Sequence, residues 1–285
     1  MSGDSLLAAY TTRLGDDVLV LGQRLIELVA ASPELEEELA NANFALDYIG
    51  QARMLYSYAA EREGCGKTED DLAFLRHEHE YRNLLLLEQP NGHFGDVIVR
   101  RFLFETYYVY LLDALTRCAD EGLSEIAARA IKEVRYHLRH SRQWLLRLGD
   151  GTEESHARVQ GSLDEHWRFT GEMFAPDELD DGMRATFNGP HLEIIEAEWR
   201  KDVAEAVAEA KIRPNQIPVF ANSSARPYPV HTAEARKVLA DQLVSPVAFV
   251  DLVAEMYAHG VRTFIEVGPK AVLTRLAEET LAERK

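Results

Sequence analysis

Apolar positions recur every three or four residues through residues 1–214, a spacing that predicts one long helix after another. The pattern is sharpest in AIKEVRYHLRHSRQWLLRLG, residues 130–149, where Ile131, Val134, Leu138, Leu145 and Leu148 form one stripe and Arg135, Arg139, Arg142 and Arg147 are free to face elsewhere. Ser124 is the expected cap at the start of this helix and Gly149 the expected stop. Asp16 or Asp17 opens an earlier helix through VLVLGQRLIELVAA, and Ser32-Pro33-Glu34 starts a second that Gly64 and Gly66 end. Thr68 caps a third, carrying FLRHEHEYRNLLLLE up to Pro90. Asp96 begins a helix that is apolar nearly all round to about Glu121, and therefore central. Thr152 caps another to about Phe174, and a polar stretch, APDELDDGMRATFNGP, precedes a last helix from about His191 to Ile212. Segments of this length suit a long-helix bundle.

After Pro214 the period changes. IPVFANS and VRTFIEVG read as strands, while TAEARKVLADQL, SPVAFVDLVAEMYAHG and GPKAVLTRLAEETLAER read as helices. The fold expected is therefore mainly α, a ferritin-like bundle over 1–214 followed by a small α/β tail over 215–285. Charge changes at the same place. The formal charge is −17, and all of the excess lies in residues 1–214, with 23 basic against 40 acidic side chains, whereas 215–285 holds 8 of each. A field of that sign repels nucleic acid and anionic membranes and does not attract an acyl-CoA. Cys65 and Cys118 are too few for a metal cluster and fit a reducing cytosol, and the N-terminal residues contain no apolar run of signal or membrane-span length.

The candidate chemistry is a degraded metal pattern. Di-iron bundles take a lone Glu from each of two helices and Glu-x-x-His from each of the other two. Placed in that order, the helices offer Gln23 on the first and Asp47 on the second, with Gly50 three residues later. Glu105 comes from the central helix, and Glu133 with Tyr136 from the stretch above. Three carboxylates, an amide and a phenol are a poor set for two irons. These positions are read as vestigial, with no catalytic, cofactor-binding or metal-binding residue assigned. Their acids are expected to be buried and paired with Arg or Lys, Arg53 and Lys132 being available. His137 and His140 are expected at the surface or a subunit contact, His77 and His79 on a solvated face. Tyr107, Tyr108, Tyr110 and the three tryptophans are expected in packing roles.

The stretches YTTRLGDDVLVLGQRL, LANANFALDYIGQAR, NLLLLEQPNGHFGD, AIKEVRYHLRHSRQWLLRLGDGT and HWRFTGEMF resemble the non-catalytic ferritin-like subunit of the multicomponent phenylacetyl-CoA ring epoxidase. The resemblance implies a cytoplasmic structural subunit that pairs with a catalytic di-iron oxygenase subunit, the partner holding both the iron and most of the acyl-CoA. The tail, through PVFANSSARPYP, LADQLVSPVAFVDLVAEM and GVRTFIEVGPKAVLTRL, resembles the C-terminal piece of a malonyl-CoA:acyl-carrier-protein transacylase or polyketide acyltransferase domain, as a fusion would give. That family's serine nucleophile sits in a Gly-x-Ser-x-Gly turn, which this chain lacks, and His191 belongs equally to the start of the last bundle helix. Two alternatives stand beside the structural role: an autonomous di-iron oxygenase, and an acyltransferase-type docking module acting through the tail.

Overall fold

The structure, a computed structural model, describes residues 2–29, 31–210, 220–221, 224–227, 247–265 and 272–282. The chain divides into two compact units, Met1–Lys211 and Ile212–Lys285. The first is a helical bundle, and its frame is four long helices: α1 (Gly3–Ile26), α2 (Leu35–Glu63), α5 (Phe94–Leu115) and α6 (Glu121–Gly149). Between α2 and α5 lie the short α3 (Glu69–Phe74) and α4 (Leu85–Glu88); α7 (Glu153–Trp167), α8 (Glu178–Phe187) and α9 (Leu192–Glu209) complete the unit. Helix α1 packs along α2, α5 along α6, and α2 against α6, while α7 and α9 cover α5 and α8 covers α1.

Close approach of α1 and α2 depends on Gly15, where a Cβ would stand 2.6 Å from the Tyr56 ring. The apolar run of α5 is buried on nearly every side, as expected for a central helix, and Trp199 of α9 is fully buried with its indole N–H on the Leu103 carbonyl at 2.9 Å. Tyr107 and Tyr108 are buried, Tyr110 is half-buried with its hydroxyl on Asp202 at 2.6 Å, and Trp144 and Trp167 are only partly covered. Arg100 is wholly buried as well, its guanidinium held by the Gln89 carbonyl and, at 2.5 Å, by Asn91 Oδ1. Burial pulls that guanidinium down to about 10.

Several element boundaries differ from the sequence reading, and each has a physical reason. Helix α1 starts at Gly3 under a Ser2 cap, so Asp16 and Asp17 lie inside it. Their carboxylates serve the irregular segment that follows α3. Asp16 accepts from Tyr56 Oη at 2.6 Å, from the Arg82 N–H at 2.8 Å and from Arg76, and Asp17 accepts from the Leu84 N–H at 2.8 Å. A segment whose backbone donors are captured by side chains has no need of a helical ladder. The expected third helix accordingly stops at Phe74, and only a 3₁₀ turn at Glu78–Glu80 and the single turn of α4 follow. His77 and His79 stack on this exposed turn. The polar stretch before α9 contains α8, which Asp177 caps through the Leu179 and Asp180 N–H groups.

Helix α6 opens at Asp120, whose carboxylate accepts from the Leu123 N–H at 2.8 Å and also from Tyr58 Oη; Ser124 donates instead to the Thr116 carbonyl at 2.7 Å. Gly149 ends the helix without a left-handed turn. Its missing side chain makes room for Ala210, whose Cβ would lie 2.7 Å from a Cβ added there. Asp120→Ala is expected to cost about 1–2 kcal/mol of stability, the loss of a helix cap, and Ser124→Ala less than half as much. Urea denaturation of the two variants checks the assignment.

In the second unit the described residues form a two-residue antiparallel pair, β1 (Phe220–Ala221) with β2 (Arg226–Pro227), and two helices, α10 (Phe249–Ala258) and α11 (Val272–Leu281), which pack on each other. The strand expected at VRTFIEVG is not formed over residues 261–265, and no sheet beyond the β1–β2 pair is built among the described residues, so the small α/β layer is corrected to two helices and a short hairpin. The helix expected at TAEARKVLADQL, the end of the one expected to reach Ile212, and the Ser245-Pro246 start lie outside the described residues.

Candidate functional site

The polar interior of the bundle is assembled by α2, α5 and α6. On α5, Arg101, Glu105 and Tyr108 recur at spacings of four and three, and on α6 Glu133, His137 and Ser141 recur at four, so each set shares a helix face. Glu105 is fully buried and takes three donors: Tyr48 Oη at 2.9 Å, Arg101 Nε at 2.9 Å and Ser141 Oγ at 2.5 Å. That occupies three of the roughly four lone-pair sites of a carboxylate. Arg101, equally buried, lays its guanidinium over the Phe44 ring at 4.3 Å and reaches Asn41 Oδ1 at 3.3 Å and His140 Nδ1 at 3.4 Å. Beyond it, Glu37 joins His140 Nε2 at 3.0 Å and accepts the Trp144 indole N–H at 2.9 Å.

His137 projects inward from α6. Its ring is fully buried, edge-on to Phe44 and Tyr48, with Nε2 3.0 Å from Asp47 Oδ2. Burial lowers the imidazole to about 4, against the raising influence of Glu105, so the ring is neutral and donates to the Asp47 carboxylate. Gln51 Nε2 donates to Glu133 at 2.9 Å, whereas Gln51 Oε1, Tyr108 Oη, Arg101 Nη2 and His137 Nδ1 are buried without a protein partner.

The five expected positions do not meet in one place. Gln23 is exposed at the surface; the polar groups that α1 turns inward are Asp16 and Asp17. Asp47 and Glu133 are half-exposed, Tyr136 is 57% exposed, and only Glu105 is fully interior. Arg53 pairs with Glu69 at 3.3 Å on the outside and Lys132 is exposed, so neither neutralises the interior. Arg101 does so. The expectation for His137 and His140 also fails, since both face the interior network. The i+4 residue from Glu133, His137, enters the interior between Phe44 and Tyr48, whereas the i+3 residue, Tyr136, stays at the rim with its ring 5.9 Å from Phe44. One signal for Arg101 was legible: an Arg–Glu pair four residues apart inside an otherwise apolar helix must be buried together.

These residues do not fit two irons. Of the five expected positions only the Glu105 carboxylate is fully interior, and a guanidinium and two hydroxyls already occupy three of its lone-pair sites, while the inward imidazole is directed at a carboxylate on its outer side. Among the described residues no three His, Cys, Asp or Glu side chains are grouped as a metal site. His191, the candidate histidine near the tail, stands at the surface just before α9 and makes no side-chain cap to that helix, its Nδ1 lying 3.2 Å from Glu193 Oε1. No helix among the described residues is long and apolar enough to cross a membrane.

The sequence profile of a family described as phenylacetic acid catabolic protein matches residues 2–245. The chain belongs to that family. One of its named relatives, a subunit of the 1,2-phenylacetyl-CoA epoxidase of Escherichia coli, is 43% identical over 235 residues, 82% of this chain and 94% of the relative. Shorter matches point elsewhere. The malonyl CoA-acyl carrier protein transacylase of Bacillus subtilis is 37% identical over 95 residues, 32% of this chain and 29% of that protein. One subunit of the polyunsaturated fatty acid synthase of a Thraustochytrium species is 31% identical over 99 residues, 35% of this chain but 3% of that protein. The chain thus spans nearly all of its phenylacetic acid catabolic relative and less than a third of either acyl-chain enzyme.

Proposed function

We propose that the chain is a structural, non-catalytic subunit of a multicomponent phenylacetyl-CoA epoxidase acting in phenylacetate degradation in the cytoplasm, and that it pairs with a second, different polypeptide that holds a di-iron centre. The domain of residues 1–214 performs this role and the tail of 215–285 is separate from it. Family membership and the 43% identity to a subunit of such an epoxidase support the assignment to a complex of this kind. The observation that carries the non-catalytic part is the Arg101–Glu105 pair, both side chains fully buried and 2.9 Å apart. A guanidinium supplies within the polypeptide the positive charge that interior carboxylates otherwise take from a metal. On this reading the chain performs no step of ring epoxidation. It holds a rigid bundle against the partner, whose iron activates oxygen.

Iron analysis of the chain purified alone and of its co-purified complex with the oxygenase partner tests this reading. The expected result is no stoichiometric iron in the isolated chain, a stable complex on size-exclusion chromatography, and about two irons per complex, as a carboxylate-bridged pair requires. Two irons in the chain alone, with epoxidation of an aromatic acyl-CoA by it unaided, would refute the assignment.

A further inference from the structure

A cavity of about 410 Å³ opens between α1 and the segment 81–84, within the size range of small-molecule sites. Tyr10, Leu14 and Asp17 line it from one face of α1, at spacings of four and three. Tyr107 lines it from α5, Met173 from the turn before α8, and Leu192 from the start of α9. Asp17 is 5% exposed and Tyr107 7%, yet their polar tips are not engaged. Asp17 Oδ1 accepts from the Leu84 N–H, but among the described residues neither Asp17 Oδ2 nor Tyr107 Oη has a hydrogen-bond partner. Tyr108 Oη is unpartnered too but sealed in the core, whereas these two atoms open on the cavity.

The state of Asp17 decides what the cavity can recognise. Burial keeps its carboxyl protonated at neutral pH. The Leu84 N–H marks Oδ1 as the carbonyl oxygen, so the acidic hydrogen sits on Oδ2, on the cavity side. A neutral carboxyl beside a phenol is a pair of uncharged donors, and a ligand without an acceptor oxygen leaves both unpaired. The charged groups around the cavity favour no ion. Arg13 is engaged by Asp180 at 2.5 Å and Asp177 at 3.0 Å, Glu172 accepts from the Leu85 N–H at 2.8 Å, and Arg82 is exposed with no ion pair among the described residues. With Asp17 neutral, two bases stand against three acids, which works against a carboxylate or phosphate. A cation would meet Arg82 and the hydrogen ends of two donors.

We propose that this cavity binds a small neutral aryl carbonyl compound, its carbonyl oxygen accepting from the Asp17 carboxyl and the Tyr107 hydroxyl and its ring lying against Leu14, Met173 and Leu192. The two donors fix orientation and the apolar side chains hold the ring, the division of labour usual in small-molecule sites. Selectivity follows from the same pair: an aromatic hydrocarbon of equal size fits but strands two buried donors, and an ion of either sign meets opposing charge at the rim. The inference goes beyond the epoxidase role and does not rest on it.

Saturation-transfer NMR on the full chain at about pH 6, with benzamide, benzoate and benzamidine as probes, tests the proposal. The three have nearly the same shape and differ in charge. Benzamide is expected to bind with a Kd on the order of 1 mM, as its few atoms allow, and both ions at least ~10-fold more weakly. Tyr107→Phe keeps the ring and removes the donor, weakening benzamide roughly tenfold. Asp17→Asn presents an amide N–H in place of the O–H and keeps an acceptor for the Leu84 N–H, so binding stays within about threefold of wild type. Ala175→Trp fills the cavity from an exposed position and abolishes binding, with circular dichroism confirming that each variant is folded. No transfer to any probe, a preference for benzoate or benzamidine, binding that survives Ala175→Trp, or binding lost in Asp17→Asn would overturn the assignment, the last by showing that an ionised carboxylate does the recognising. None of these outcomes bears on the iron content that decides the epoxidase reading.

Discussion

Arg101→Met is expected to lower the free energy of unfolding by about 3–5 kcal/mol, the range for removing one partner of a buried ion pair. Arg101 and Glu105 are both fully buried, and without the guanidinium the carboxylate keeps only two neutral donors, Tyr48 and Ser141. The large loss comes from the charge left behind, because an uncompensated buried carboxylate costs far more than a salt bridge yields at a surface. Glu105→Gln added to Arg101→Met should therefore recover most of the loss: the amide still accepts from Tyr48 or Ser141 and carries no charge. Urea denaturation of wild type, both single variants and the double closes the cycle. A single-variant loss below about 1 kcal/mol, or a double variant no better than the single, would show that Arg101 does not neutralise this interior.

The second large effect concerns pH. Burial raises the Asp17 carboxyl from its ordinary value of 3.8 to about 8, so at neutral pH the folded protein holds a proton that the unfolded chain releases. Stability from this group is present below pH 4 and is lost as pH rises toward 8. His137 has the opposite slope. Its folded value of about 4 lies below the ordinary 6.5, so its contribution is present above pH 6.5 and is lost as pH falls toward 4. The two trends oppose each other between pH 4 and 6.5. From pH 6.5 to 8 only Asp17 acts, and stability is expected to fall by about 2 kcal/mol. Asp17→Asn, which retains an acceptor for the Leu84 N–H, should flatten that interval and raise the melting temperature at pH 8. Thermal unfolding across the pH range, wild type against Asp17→Asn, reads both effects.

What the sequence disclosed and what it withheld divide along the reach of the interactions. Local rules located the Thr68, Thr152 and Gly64 boundaries correctly, because a cap hydroxyl or a left-handed glycine acts within four residues of itself. The nearly all-round apolar run of α5 marked it as central, and the single stripe of α6 marked its buried face, for the same reason. The misses depend on partners distant in sequence. Asp16 resembles a cap until it is seen to hold Tyr56, Arg76 and Arg82, and Ser124 lies where a cap could be until Asp120 is seen taking both the Leu123 N–H and the Tyr58 hydroxyl.

The candidate site followed the same division. Glu105 and Glu133 were legible as helix-face acids, but the neutralising cation could have been any of several arginines. Arg53 was a plausible choice by composition and the wrong one by direction. Gln23 was placed inward because the start of α1 was set too late, which left its mid-helix acids, Asp16 and Asp17, taken for caps.

The capture of two backbone N–H groups by Asp16 and Asp17 changes how the 76–84 segment must evolve. It has loop geometry, yet its donors are spaced to fit the acceptor oxygens of two neighbouring Asp side chains inside one helix. A residue gained or lost between Arg76 and Leu84 would move both N–H groups off their acceptors at once. A length change there meets the resistance ordinarily reserved for core substitutions, whereas an insertion at the exposed Gly64–Gly66 turn displaces no such acceptor.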